Sequence, residues 1–187
     1  MHNFAPHAFY TAEASKLENS EKSLTFAAQL FLDNLRGESE PAQKAWMAEQ
    51  ARDLFERSLV LNPANDSAKI GLGSTYIFAA SPEDPTQVMT GVQKILEVAR
   101  RDSSNMYAQL MLGLGGVISG QFDKGIERLL KVTDNQPGNL EAILTLAEAY
   151  EKKGDKPNAV KWYEKSKTFI VNPEIIEEIN TRIKLLK

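Results

Sequence analysis

MYAQLMLGLGGVISGQFDKGIERLLKVTDNQPGN (106–139) runs directly into LEAILTLAEAYEKKGDKPNAVKWYEKSKTFIVNP (140–173). Set one under the other at an offset of 34 residues, Leu112 falls on Leu146, Gly120 on Gly154, Gly125 on Ala159 and Leu129 on Tyr163. A period of that length marks one supersecondary unit stacked on the next, each burying its apolar side against its neighbour. Further back, Leu72-Gly73-x2-Tyr76 and Gly91-x3-Ile95 repeat the pattern. Leu72 to Leu112 is 40 residues, whereas Ile95 to Leu129 is again 34. The six extra residues therefore fall between two helices, in the Ser81–Thr90 region. Ala51-x3-Phe55 with Pro63 reads as an earlier second helix, and Leu24–Arg36 as its first helix after a longer loop.

Apolar spacing and punctuation place the helices. They are predicted over 8–18, 24–36, 42–61, 66–79, 86–101, 106–119, 121 or 123 to 135, 140–153, 156–169 and 173–187. Ser20 or Ser23 is placed to cap the second helix and Asp66 the fourth, a short polar side chain accepting from the free N–H groups of the first turn. Gly37, Gly120, Gly154 and the Gln136-Pro137-Gly138 run act as stops. No stretch alternates convincingly with period two, so the expected class is all-α.

The last pair carries the clearest signature: Ile143-x2-Leu146-Ala147-x2-Tyr150, then Gly154, then Ala159-x3-Tyr163, with Pro173 beyond. Small residues at Ala147 and Ala159 let two helices approach, and Tyr150 and Tyr163 fill the space beside them. This resembles the tetratricopeptide repeat (TPR), and the resemblance covers nearly the whole chain. It implies a right-handed α-solenoid of antiparallel helix pairs, of the kind found in bacterial proteins, and a single domain over 1–187. Within it, 8–22 is a partial repeat or N-terminal capping helix, 23–65 a degenerate repeat, 66–105 a repeat with the insertion near 81–90, 106–139 and 140–173 repeats, and 174–187 a capping helix. Gly116 stands where the family has a tyrosine, so packing there is expected to be tighter or looser than usual.

The resemblance also implies a function: a non-enzymatic scaffold whose first helices line a concave groove for a peptide or helix of another protein. The residues facing that groove are expected to be Phe31, Ile70, Ser74, Ile77, Phe78, Tyr107, Leu110, Met111, Leu114, Ile118, Glu141, Leu144 and Glu148, with Leu24, Ala27 and Thr145 on the same faces. Some TPR co-chaperones hold a carboxylate terminus with Lys, Asn and Arg there. This chain has Ile70, Ser74, Leu110 and Leu114 at those turns, so an apolar segment suits better. The segment 106–119 is apolar nearly all round, Gln109 being its one strongly polar side chain before Ser119. The alternative is an assembly subunit, in which the same stripe packs on a second copy or a larger complex; a monomer or homodimer is expected.

Bulk composition narrows the rest. The 187 residues carry 22 Lys and Arg against 25 Asp and Glu, a net charge of −3, which gives no electrostatic reason to expect nucleic acid. There is no cysteine, hence no disulfide or thiolate chemistry. No apolar run reaches the ~18 residues of a membrane span, and no leader peptide is visible. The chain as it stands reads as cytoplasmic. Because 8–18 has the small-residue spacing of a second helix lacking its first, an excised part of an anchored, periplasmic protein is the other reading. His2 and His7 are the only histidines, and His2-x4-His7 is a poor metal pair. Glu177 and Glu178 are adjacent on a helix and point apart, so they make no acid/base pair. Gly113-Leu114-Gly115-Gly116 has the look of a phosphate loop but falls inside a helix, where glycine reads as close packing. Lys152, Lys153, Lys156, Lys161 and Lys165 are interleaved with Glu148, Glu151, Asp155 and Glu164, a solvated face. No catalytic residue, metal or cofactor is expected.

Overall fold

A computed structural model describes residues 4–80 and 86–187, with side chains from Pro6 onward. The described residues form helices and one 3-10 turn, with no strand. Four helices begin with the same device. Asn65, Asn105 and Asn139 each turn the side-chain Oδ1 onto the N–H three residues on, at 2.9 Å to Ala68, 3.0 Å to Ala108 and 3.0 Å to Ala142. Asn172 accepts from Glu174 N–H at 2.9 Å. Each such cap satisfies a donor that the helix leaves open, a contribution of about 1 kcal/mol. Asp66 is thus the first residue of its helix rather than the cap, because Asn65 already occupies that place. Ser20 takes the cap that Ser20 and Ser23 could share. The helix expected over 156–169 is α-helical to Ser166, and Lys167–Phe169 tightens into the 3-10 turn.

The chain divides into two compact units, Met1–Asp102 and Ser103–Lys187. The first holds α1 (Phe4–Glu18), α2 (Glu21–Leu35), α3 (Pro41–Leu61), α4 (Asp66–Ala79) and α5 (Thr86–Arg101). Consecutive helices pair as α2 with α3 and α4 with α5, α3 joins the pairs, and α1 lies on α2 and α3. Phe31 and Trp46 meet edge to face at 5.4 Å, joining α2 to α3. At the junction of α2, α3 and α4, the Glu21 carboxylate accepts from Asn65 Nδ2 at 2.6 Å and from Asn62 Nδ2 at 3.0 Å. Thr25 and Ser58 share a hydrogen bond of 2.8 Å beside them. Asn65 therefore caps α4 with one end of its amide and anchors α2 with the other. The insertion read near 81–90 is part helix, since 86–90 open α5, while 81–85 lie outside the described residues.

The second unit holds α6 (Met106–Ile118), α7 (Phe122–Asn135), α8 (Leu140–Lys153), α9 (Lys156–Ser166) and α10 (Pro173–Leu186). α6 pairs with α7 and α8 with α9; α7 joins the pairs, α6 also touches α8, and α10 rests on α9. Gly120 and Gly154 end α6 and α8 with φ of +75° and +85°, a left-handed conformation that other residues rarely adopt. The glycines inside α6 are contact points. A Cβ at Gly113 would stand 2.6 Å from Leu129 Cγ, and one at Gly116 2.8 Å from Gly125 Cα. With glycine at 116, where the family pattern has a tyrosine, two backbones meet, the tighter of the two outcomes.

Candidate interaction surface

The residues expected to line a groove fall in both units. In the first, Phe31, Ile70, Ser74 and Ile77 are all within 1% of complete burial, as are Leu24 and Ala27. Ser74 Oγ donates to Ile70 O at 2.8 Å, and Ile77 packs toward Gly91 on α5. These side chains fill the interior of their unit. Phe78 is the outermost of the set, with the Arg36 guanidinium 4.8 Å from its ring centroid. Spacing marks one face of α4, whereas the helix is enclosed on more than the one side that an intra-repeat contact would cover: Ala68, Ile70–Thr75, Ile77 and Phe78 are all buried.

In the second unit, α6 is buried from Ala108 to Val117. Leu110, Met111 and Leu114 keep only 6%, 3% and 7% of their surface. Tyr107 is half-buried and Ile118 is 50% exposed, so α6 offers its two ends. Gln109 is fully buried and satisfied: it donates to Ser103 O at 3.0 Å and accepts from Arg128 Nη1 at 2.8 Å. α8 is more open. Ala142, Ile143, Thr145, Leu146, Ala147 and Ala149 turn inward. Glu141 and Leu144 are half-buried and Glu148 and Lys152 exposed, a stripe at the three- and four-residue spacing of one helix face.

The repeat offset carries the same positions onto α10, which reads from the sequence as a capping helix. Thirty-four residues on from Glu141, Leu144, Glu148 and Glu151 stand Ile175, Glu178, Arg182 and Leu185. All four are exposed, Ile175 by 42% and Leu185 by 79%. Carrying the repeat offset past Pro173 would have found them. α8 and α10 are joined at this stripe by Glu151, whose Oε2 accepts from Arg182 Nε and from the Tyr163 hydroxyl, each at 2.8 Å. Burial pushes the Glu151 carboxyl up, but the hydrogen bonds from Arg182 and Tyr163 and the charges of Arg182 and Lys152 outweigh it and leave it below its ordinary value. Burial, then the bond to Glu151, holds the Tyr163 hydroxyl protonated well above its ordinary range.

The remaining sequence candidates are dispersed. His7 is exposed on α1, and His2 lies outside the described residues. Among the described residues no three His, Cys, Asp or Glu side chains gather to hold a metal, and no helix is long and apolar enough to cross a membrane. Lys153 reaches Asp123 at 2.5 Å and Lys165 lies 4.6 Å over the Trp162 ring.

No family model matches the sequence, and no curated protein matches it. Solved structures do. MamA superimposes with a TM-score of 0.62 at 20% identity, over 90% of this chain and 89% of that one. YrrB, described as a TPR protein with an unusual peptide-binding site, gives a TM-score of 0.62 at 14% identity, over 96% of this chain and 84% of that one. A MamA fragment from Desulfovibrio magneticus RS-1 gives 0.56 at 18% identity, over 89% and 95%. At these identities the likeness speaks for architecture. With its paired helices and small-residue crossings, the chain has the all-α fold of the tetratricopeptide-repeat proteins.

Proposed function

We propose that this chain is a non-enzymatic scaffold that holds a peptide or helix of another protein, with 1–187 acting as one repeat domain. The observation that carries the reading is the open stripe of the second unit. Glu141, Leu144, Glu148 and Lys152 on α8 lie beside a helix, α6, whose exposed end is the apolar Ile118. An apolar side chain set among charges on a rigid helix can give a partner both an anchor and an orientation. Tyr107 adds an amphipathic ring on the same helix as Ile118. Leu110 and Leu114 belong to the floor beneath, and Phe78 is the corresponding residue nearest the surface of the first unit. The peptide-binding site named for YrrB agrees with this class of role.

Photo-crosslinking tests the proposal. Benzoylphenylalanine is placed at Ile118 or Leu144, and as a control at Val60, which is 81% exposed on α3. Peptides selected from a random library on the unmodified protein should crosslink from 118 and 144 and not from 60. Equal labelling at 60, or no selectable peptide on a folded protein, overturns it. A charge placed at Leu110 or Leu114 would be the wrong probe, because buried it would unfold α6.

A further inference from the structure

The stripe on α8 and α10 has a sign. Glu148, Glu151 and Glu178 supply three carboxylates, and Lys152 and Arg182 two cations. Arg182 is already committed to Glu151 and lies 5.8 Å from the Tyr163 ring centroid. Glu148 and Glu178 have no hydrogen-bond or ion-pair partner among the described residues. The hydrogen bond to Glu151 chiefly raises the Arg182 guanidinium's hold on its proton, and the charge of Glu148 adds a little to it. The excess is therefore negative, and it borders Leu144, Ile175 and Leu185. The carboxylates do not gather tightly enough to suit a metal ion.

Resting on the reading of this stripe as a binding surface, we infer that its occupant is a basic amphipathic segment of another protein. Such a segment sets an apolar side chain against Leu144 and Lys or Arg side chains against Glu148 and Glu178. An acidic occupant would bring like charges onto Glu148 and Glu178, and a purely apolar one would leave both facing a desolvated partner. The chain's own net charge of −3 makes a second copy the poorer electrostatic match.

The test uses three peptides with the same apolar residues at helical spacing, flanked by Lys, Gln or Glu. Each is titrated into the full chain and into the Glu148→Gln/Glu178→Gln double variant, with binding read by fluorescence anisotropy at two salt concentrations and located by amide shifts. The Lys peptide should bind most tightly, shift the amides of 141–152 and 175–185, and weaken with salt. The double variant, folded by circular dichroism, should lose about five-fold in affinity for it, two exposed charge pairs being worth roughly that. If the Gln or Glu peptide binds the stripe as tightly, or the double variant binds the Lys peptide unchanged, the charge inference fails and the surface stands. If no peptide shifts the stripe, or light scattering shows it buried in a homodimer that the Lys peptide does not dissociate, both readings fail.

Discussion

At the scale of single residues, the fold rests on places where a side chain is missing. Gly73 and Gly91 bring α4 and α5 into backbone contact: a Cβ at Gly73 would stand 2.7 Å from Gly91 O, and one at Gly91 would overlap Gly73 O and come within 2.8 Å of Ile77 Cγ1. In an exposed helix, alanine in place of glycine gains up to about 1 kcal/mol. Here the added methyl meets backbone, which cannot rotate away, and overpacking of that kind costs about 1–3 kcal/mol. Gly91→Ala is therefore expected to lower the unfolding free energy by about 2 kcal/mol in urea titration. Gly37→Ala, where nothing lies within 4 Å, should change it by less than about 0.5 kcal/mol. Equal effects at the two positions would remove the crossing from the account. These small residues were legible because Leu-Gly and Gly-x3-apolar recur from one helix pair to the next, the latter at 34 residues. The asparagine caps, spaced 40, 34 and 33 residues apart, were not picked out by spacing, since an asparagine before an acidic or apolar residue suits a turn equally well.

Among the helices, α10 is held least. Only Ile179 and Ile183 of its fourteen residues are buried. Its polar ties are Arg182 to Glu151 on one flank and Asn180 to Lys167, at 2.9 Å, on the other. Arg182 is about half exposed, so screening limits its ion pair to about 0.5–1 kcal/mol. Glu151→Gln should speed amide exchange across α10 by roughly five-fold or less, and leave α8 and α9 unchanged. A uniform change through the second unit would mean that Glu151 supports the whole unit rather than this docking. The pH dependence follows from the direction of the shift. Because the folded Glu151 value lies below the ordinary 4.5, its contribution is complete above 4.5 and is lost as pH falls through the lowered value. Amide shifts of α10 should accordingly move toward random coil on acidification before those of α8, and the Gln variant should lose that early phase.

For the molecule as a whole, the helix order, the pairing and the fold could be read from one repeat offset, because a 34-residue period leaves few other architectures. The surface was less legible. Spacing says which residues share a face of a helix, but not how deeply neighbouring helices cover it; hence Ile70 and Ile77 read as lining and are interior, while Ile175 and Leu185 read as cap and are open. The scaffold and assembly readings part over oligomeric state. The exposed large apolar side chains are spread over several helices: Phe26 on α2, Val60 and Leu61 on α3, Met89 on α5, Ile118 on α6, Ile175 and Leu185 on α10. The longest set on one helix is Phe9, Tyr10 and Leu17 of α1, where Ala8, Ala12 and Ser15 turn inward. Three side chains fall well short of the ~800 Å² per partner that a stable interface buries. A mass of one chain, 20.8 kDa, is therefore expected by multi-angle light scattering from about 10 to 500 µM. A mass that climbs with concentration and returns to one chain on Tyr10→Glu/Leu17→Glu would assign α1 to self-association and favour the assembly reading. A mass that climbs but returns on Ile118→Glu instead would place the contact on the proposed binding surface itself.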